Sequence, residues 1–234
     1  MLNGTLLCAF ALCSRMALCL PDDKALAAQH HVEVGLQLAR DGDLTRAETE
    51  LRKAAELAPD EPLSWAHLGG ILSMQRRLQD ANVYFEKALR IDPNNSVIRR
   101  DLAASQLQLG QLQLAKKNLE RVLKTTPRDP PATLLLGMVA ENLNDYRAAL
   151  ELLGSVSELV RQRTESLAAL AHSYYRTDQR DKARETLRLL QTHKDGPPAA
   201  FLAGQVALED TDYRTAENIF RSIQSTFPDV VGLN

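Results

Sequence analysis

A small residue recurs along this chain at an almost constant interval, and this interval limits the possible folds more than any other feature. The recurring positions are Ala47, Ala81, Ala115, Ala149, Ala183 and Ala216, which are separated by 34, 34, 34, 34 and 33 residues. In the same phase, positions 35, 69, 103, 137, 171 and 204 hold glycine or alanine, and positions 51, 85, 119, 153, 187 and 220 hold leucine or phenylalanine. A fixed period of this length predicts stacked copies of one unit that share a continuous core.

Each unit is predicted to contain two amphipathic helices, and Pro62–Asn95 shows them most clearly. One face of its first helix carries Trp65, Leu68, Gly69 and Leu72, and one face of its second helix carries Ala81, Phe85 and Ala88. Asp92-Pro93 ends the second helix, because proline lacks the N–H that a helix needs. The fourth and fifth units lack this proline, so we expect the second helix of the fourth unit to continue through Val160 and Arg163.

Smaller features predict how the helices meet. A glycine or alanine in the first helix lets the second helix approach closely, and we expect the large apolar residue to cover the seam to the next unit. Asp60 and Asp129 precede prolines and are predicted helix N-caps, whereas Gly42 and Gly110 are predicted to break the chain between paired helices. The shorter 33-residue step falls in residues 191–198, where we expect the stacking to be slightly disturbed.

The pattern resembles the tetratricopeptide repeat (TPR) consensus W-x2-L-G-x2-Y…A-x3-F…P, with Leu72 in the place of the tyrosine. The resemblance implies an all-α fold, a right-handed superhelical solenoid of antiparallel helix pairs. We expect six repeats, at residues 28–61, 62–95, 96–129, 130–163, 164–196 and 197–230. Residues 231–234 resemble the start of a truncated further repeat. Trp65 occupies the packing position of the family, so we expect it to be structural.

Residues 1–27 form a separate leader. All three cysteines, Cys8, Cys13 and Cys19, lie in it, and the apolar run at residues 6–13 is typical of a signal peptide and too short to span a membrane. Arg15 interrupts the apolar stretch, so a misplaced start codon or a disordered tail stays an alternative, as does lipidation at Cys19. We expect export to the periplasm or the medium, with a cytoplasmic location as the alternative. The helix that follows could begin before the first repeat.

Charge and residue spacing argue against several classes of function. A net charge of −2 and an isoelectric point near 6.2 do not favour nucleic acid as a partner. We expect no cofactor and no metal site, because His30 and His31 are adjacent and point in different directions, and His67, His172 and His193 have no second ligand three or four residues on. We also expect no enzymatic activity, because the sequence shows neither a glycine-rich phosphate loop nor a nucleophile near a plausible base.

The resemblance implies a concave groove lined by the first helices, and its residues are expected to bind a protein or peptide partner. The candidate groove residues are His67, Arg100, Asp101, Leu134, Leu135, Met138, Ala168, Ala169, His172, Tyr175, Phe201, Leu202 and Gln205. We expect binding mainly in the fourth to sixth units, and the second unit offers only Leu63, Ala66, His67 and Gly70. The alternative is that several of these apolar side chains are buried between neighbouring first helices.

The expected function is that of a non-catalytic scaffold that binds peptide segments of partner proteins in its groove, in envelope or secretion-related assembly. The alternative is the repeat portion of a larger enzyme or signalling protein, in which the solenoid positions a catalytic or regulatory domain. A third expectation is self-association through an uncapped C-terminal end, because no polar capping helix follows the sixth unit.

Overall fold

The computed structural model of the protein describes residues 23–192, 201, 204, 207–208, 211 and 213–226. Over these residues the chain forms helices joined by short turns, and none of them lies in a strand. In chain order the helices are α1 Asp23–Arg40, α2 Leu44–Leu57, α3 Pro62–Met74, α4 Leu78–Ile91, α5 Ser96–Gln108, α6 Leu112–Thr125, α7 Pro130–Asn142, α8 Tyr146–Ser155, α9 Ser157–Arg161, α10 Thr164–Arg176, α11 Arg180–Thr192 and α12 Tyr213–Thr226. The prediction of an all-α repeat fold is confirmed.

Neighbouring helices pack in the order of the chain. The pairs α1–α2, α3–α4, α5–α6, α7–α8 and α10–α11 make the most extensive contacts, and α2, α4, α6 and α8 each also pack on the next first helix. The first helices α1, α3, α5, α7 and α10 additionally touch one another in sequence. They therefore lie side by side along one surface of the array, and this surface carries the candidate site.

Glycines in the first helices explain the close packing within each pair. A Cβ atom added to Gly35, Gly69, Gly137 or Gly204 would lie 2.7, 2.9, 2.7 or 2.5 Å from the side chain of Leu51, Phe85, Leu153 or Phe220, respectively. The predicted close approach is thus confirmed. In these four units the large apolar residue fills the contact with the glycine of its own unit, and Leu51, Phe85 and Leu153 also belong to core clusters that include residues of the next unit.

The turn inside each unit repeats one backbone conformation. A residue with positive φ stands at each of six equivalent positions, Gly42, Arg76, Gly110, Asn144, Asp178 and Thr211, with φ between 59° and 85°. After the first of these, the backbone N–H of Asp43 donates to Leu38 O at 2.9 Å, and the next four units repeat this bond. These are Schellman-type helix ends, in which the left-handed residue allows the last carbonyls to be satisfied.

The structure corrects one predicted N-cap and confirms another. Glu61, not Asp60, is the N-cap of α3, and its side chain accepts from the N–H of Leu63 at 3.3 Å. The reason is that Pro62 is itself the first helical residue, which leaves the cap to the residue before it. Asp129 does cap α7, since its Oδ1 accepts from the N–H of Ala132 at 2.8 Å.

The second helix of the fourth unit does not continue through Val160 and Arg163 as expected. It stops at Ser155, and a short helix, α9, starts after Val156. Gly154 has low helix propensity, and the Ser155 hydroxyl donates to Leu152 O at 2.7 Å, so its side chain competes for a backbone carbonyl. The break redirects the chain so that Val160 is completely buried against the core of the fourth and fifth units.

Trp65 joins the first two units. Its ring is buried and stacks on Tyr84, with centroids 5.8 Å apart, and its Nε1–H donates to Pro59 O at 2.8 Å. Lys87 Nζ lies 3.2 Å from the ring centroid. These contacts give Trp65 the packing role that the sequence predicts.

Several predictions lie outside the described residues. They are the export signal up to residue 22, the disturbed stacking from residue 193 onwards and the truncated repeat at 231–234. α1 begins at Asp23, so the proposed limit between leader and first repeat, after residue 27, falls inside a helix.

Candidate functional site

Three successive first helices, α1, α3 and α5, enclose a groove that is open to solvent. Its cavity has a volume of about 410 Å³. The lining residues are Leu36, Ala39, Arg40, Leu63, Ala66, His67, Gly70, Ile71, Met74, Val97, Ile98 and Asp101. We call this set the N-terminal groove.

The surface of the N-terminal groove is apolar and accessible. Leu63, Met74 and Val97 are 48%, 57% and 51% exposed, whereas Ile71 and Ile98 are buried beneath them. Gly70 adds depth, because a Cβ atom at this position would meet nothing within 4 Å. A cluster of large, solvent-exposed apolar side chains is typical of surfaces that bind other molecules.

Two of the titratable side chains that line the groove, His67 and Asp101, have pKa values that burial shifts toward the neutral form. Burial lowers the pKa of His67 below its ordinary value, although the charge of Glu61 opposes the shift. His67 is therefore uncharged at pH 7 and offers one donor and one acceptor. Burial also raises the pKa of Asp101, against the opposing effect of Arg100. The raised pKa means that ionisation of the Asp101 carboxyl group is less favourable than in water.

Arg100 was predicted to face the groove, but its guanidinium group is engaged elsewhere. Nη1 donates to Asp129 Oδ2 at 3.0 Å, and Asp129 is the buried N-cap of α7. Arg100 therefore ties α5 to the start of α7. Its contact with Asp101 is longer, with 4.0 Å between Nε and Oδ1.

The predicted residues of the fourth and fifth units are less accessible than expected. Leu134 is 1% exposed and Ala169 is 8% exposed, so both belong to the core and not to an open groove surface. Four other predicted residues are half-buried and pack against the same hydrophobic clusters, namely Leu135, Met138, Ala168 and Tyr175. These side chains pack into clusters built from both first and second helices, so they are covered, as in the alternative that the sequence left open.

His172 also has a structural partner. Its Nδ1 donates to Glu141 Oε1 at 2.5 Å, which links α10 to α7. Tyr146 packs edge-on against the imidazole ring at 5.4 Å, and the Arg176 guanidinium lies 5.0 Å from the Tyr146 ring centroid. The ring is therefore held within this cluster by a carboxylate and an aromatic neighbour.

The last predicted residues are only partly described. Phe201 is exposed and meets Phe220 edge-on, with ring centroids 5.6 Å apart. Leu202 and Gln205 lie outside the described residues. Of the predicted set, the structure brings His67 and Asp101 together in one cavity.

Sequence reasoning missed Ala39, Arg40, Ile71, Met74 and Ile98 as lining residues, and it undervalued Leu63 and Val97. A comparison of equivalent positions in successive repeats would have indicated the apolar surface of this groove. Positions 63 and 97 hold leucine and valine, but the equivalent positions 131 and 165 hold proline and glutamate. The apolar character of this phase is thus confined to the second and third units.

No helix in the described part of the chain is both long enough and apolar enough to cross a membrane. Among the same residues, no group of three or more His, Cys, Asp or Glu side chains is placed to hold a metal ion.

Comparison with known families identifies the repeat. The model of the cytochrome c-type biogenesis protein H TPR domain matches residues 25–167, more than half of the chain. The chain belongs to this family. The matched region of the TPR protein includes the whole N-terminal groove, most of α1 and the helices α2 to α9.

Solved structures with the same fold cover most of the TPR protein. PilF of Pseudomonas aeruginosa is 20% identical, has a TM-score of 0.71 and is matched over 90% of this chain and 96% of its own. PilW, a type IV pilus biogenesis factor, is 18% identical, with a TM-score of 0.74 and coverage of 88% and 96%. YrrB, a TPR protein with an unusual peptide-binding site, is 23% identical, with a TM-score of 0.59 and coverage of 79% and 92%. At these identities the likeness concerns the fold.

Curated relatives are much longer than this chain. The human protein O-mannosyl-transferase TMTC1 is 29% identical over 83 residues, which are 36% of this chain and 9% of that protein. Cellulose synthase operon protein C of Pseudomonas fluorescens (strain SBW25) is 28% identical over 137 residues, which are 57% of this chain and 11% of that protein. The chain therefore spans about a tenth of the length of these relatives.

Proposed function

We propose that this TPR protein is a non-catalytic scaffold that holds peptide segments of partner proteins in its N-terminal groove. The observation that carries the proposal is the exposure of Leu63, Met74 and Val97 around one open cavity. An apolar surface of this kind, with polar groups at its edge, suits a peptide whose apolar side chains leave water on binding.

The shape of the groove favours a peptide over a small molecule. The cavity crosses three helices and is open to solvent, whereas small-molecule sites enclose most of the ligand surface. Neighbouring packed helices are about 8–10 Å apart, so the distance from α1 to α5 is about 16–20 Å. An extended chain covers this distance with about five or six residues.

The proposed process is assembly in the cell envelope or in secretion. It is supported by the family, whose description concerns cytochrome c biogenesis, and by the structural likeness to PilW, a pilus biogenesis factor. The apolar leader supports export of the protein. Mass spectrometry of the N-terminus of the mature protein tests export, and an intact Met1 in exported material would contradict it.

A second candidate is that the repeats position a catalytic or regulatory domain in a larger protein. The length of the curated relatives favours this candidate, since one of them is a transferase of which the match spans 9%. The coding sequence beyond residue 234 in the native gene separates the two candidates. A catalytic domain there would favour the second one, and a stop codon or further repeats would favour the scaffold.

The groove is tested by filling it without disturbing the fold. Gly70→Leu places a large side chain in the cavity, where a Cβ atom meets nothing within 4 Å. Gly154→Leu is the matched control, because Gly154 is also helical, also has open space around it and lies on α8, away from the groove. Gly70→Leu places a better helix former inside α3 and should fold. Because Gly154 also helps to end α8, circular dichroism and the melting temperature must first show that Gly154→Leu keeps the wild-type fold.

Peptides selected from a random phage-displayed library on the wild-type protein serve as the probe. We expect Gly70→Leu to weaken their binding by about tenfold or more, which corresponds to about 1.4 kcal/mol, and Gly154→Leu to bind as the wild type does. Fluorescence anisotropy with labelled peptides gives the affinities. If no peptide is enriched, or if Gly70→Leu binds as tightly as Gly154→Leu, the groove is not the binding site.

A further inference from the structure

The charge at one end of the N-terminal groove indicates which peptides it selects. Asp101 lies one helical turn after Val97 on α5, so both residues share the face that lines the cavity. Its side chain is 49% exposed, yet burial raises the pKa of its carboxyl group. Asp101 is therefore a half-exposed carboxylate at the edge of an apolar surface.

The neighbouring cation, Arg100, makes its shorter ion pair with another carboxylate. Arg100 donates to Asp129 at 3.0 Å, whereas its Nε lies 4.0 Å from Asp101 Oδ1. Because Asp129 is itself fixed as the N-cap of α7, Arg100 is held toward α7. Within the part of the chain that the structure describes, no side chain donates a hydrogen bond to the Asp101 carboxylate. Its charge is available to a ligand in the groove.

The opposite end of the groove carries the opposite charge. Arg40, at the end of α1, is exposed and donates to Gln37 Oε1 at 3.0 Å. A positive group on a ligand is repelled at the α1 end and attracted at the α5 end. The groove is thus apolar in its middle and has a defined polarity along its length.

We propose that the N-terminal groove selects peptide segments in which a lysine or arginine flanks large apolar side chains. The apolar side chains lie against Leu63, Met74 and Val97, and the basic group lies over Asp101. This inference rests on the proposed function and specifies the chemistry of the segment that the groove holds. An ion pair that is half exposed changes affinity by about fivefold, which is the effect expected here.

The test compares peptides selected on two proteins. A random phage-displayed library is selected on the wild type and, in parallel, on Asp101→Lys. We expect lysine or arginine next to leucine, isoleucine, phenylalanine or methionine in the peptides from the wild type. On Asp101→Lys we expect aspartate or glutamate in the place of the basic residue, because the charge of the groove end is reversed.

Affinities of one selected basic peptide then isolate the charge. Asp101→Asn should bind it about fivefold more weakly, and high salt should reduce the difference. Asp181→Asn, the same change at an exposed position of α11, should bind it as the wild type does. Asp101→Asn should melt at the same or a higher temperature than the wild type, because it removes a carboxylate whose ionisation is disfavoured in the folded state.

The outcomes separate this inference from the proposed function. If the peptides from the wild type lack a basic residue, or if Asp101→Asn binds them unchanged, the charge preference is wrong and the groove remains a binding site. If Gly70→Leu binds the same peptides unchanged, the groove itself is not used, and both proposals fail. Selection of the same basic peptides on Asp101→Lys would also overturn the charge preference.

Discussion

Gly69 and Gly70 are neighbours in α3 but have opposite surroundings, and this difference yields a stringent test of the packing. A Cβ atom at Gly69 would lie 2.9 Å from Phe85 Cε1 and 3.2 Å from the backbone oxygen of Ala81, whereas a Cβ atom at Gly70 meets nothing within 4 Å. Phe85 is 2% exposed, so its ring has no space to move into. The perturbation is the same substitution, glycine to alanine, at each position in turn.

The magnitudes follow from two opposing effects. Alanine stabilises a helix by about 1 kcal/mol relative to glycine, and both variants gain this amount. At Gly69 alone, the added methyl group crowds the core below the ordinary contact distance of about 3.5–4.0 Å, which costs about 1–3 kcal/mol. Gly70→Ala should therefore be about 1 kcal/mol more stable than the wild type. Gly69→Ala should be about 1–3 kcal/mol less stable than Gly70→Ala.

Urea denaturation measures both variants, with two probes. Far-UV circular dichroism follows all helices, and the fluorescence of Trp65, the single tryptophan, follows the second unit in which both glycines lie. Two probes are needed because repeat arrays can unfold unit by unit. Equal stability of the two variants would refute the argument that the glycine of the first helix exists to admit the large residue of the second.

Three further predictions concern the turns, the titratable groove residue and the seam at Trp65. Arg76→Gly should raise the free energy of unfolding by about 0.5–1 kcal/mol, because arginine is strained at a φ of 63°, and Gly42→Ala at the equivalent turn should lower it by a similar amount in urea denaturation. His67→Gln should weaken the pH dependence of stability between about pH 7 and 5. The wild type loses stability as the pH falls through this range, because the unfolded state takes up a proton near pH 6.5 and the folded state only at a lower pH. If thermal melts from pH 7 to 5 give His67→Gln the same pH dependence as the wild type, this argument is wrong. Lys87→Met should cost about 1 kcal/mol or less by loss of the cation–π contact with Trp65, and a larger loss in thermal denaturation would show that Lys87 has a second role.

The repeat and its internal packing could be predicted from the sequence because they depend on local patterns. A glycine at position 69 and a phenylalanine at position 85 recur in phase with their counterparts in other units, and the structure joins each such pair. The turns could be predicted in part for the same reason, since Gly42 and Gly110 indicate a left-handed backbone position. Arg76 and Thr211 occupy the same position without a glycine, which residue type alone does not predict.

The accessible part of the groove could not be predicted in the same way, because exposure depends on the next unit. Leu63 and Leu134 are both leucines of first helices, but Leu63 is 48% exposed and Leu134 is 1% exposed. Leu134 lies one turn into α7 and packs against the core around α10, whereas Leu63 is at the start of α3 and faces the cavity. Residue type alone therefore favoured the fourth unit, where leucines are frequent and covered.

The break after Ser155 escaped prediction for a related reason. Proline is the main indicator of a helix end in this sequence, and the fourth unit has none at the expected position. The helix ends instead through Gly154 and the hydroxyl of Ser155, and burial of Val160 stabilises the new direction of the chain. These effects are weak one by one, and their sum depends on the tertiary contacts that follow.

The most direct test of the central claim uses the methyl groups of methionine. Among the described residues, Met74 lines the N-terminal groove on α3, and Met138 lies in the fourth unit against the core. The protein is labelled with ¹³C at the methionine methyl groups, the signals are assigned by substitution of each methionine, and a peptide selected on the wild type is added. We predict that the Met74 signal shifts on binding and that the Met138 signal stays in place. A shift of Met138 without a shift of Met74 would contradict the account and place the binding site in the downstream units.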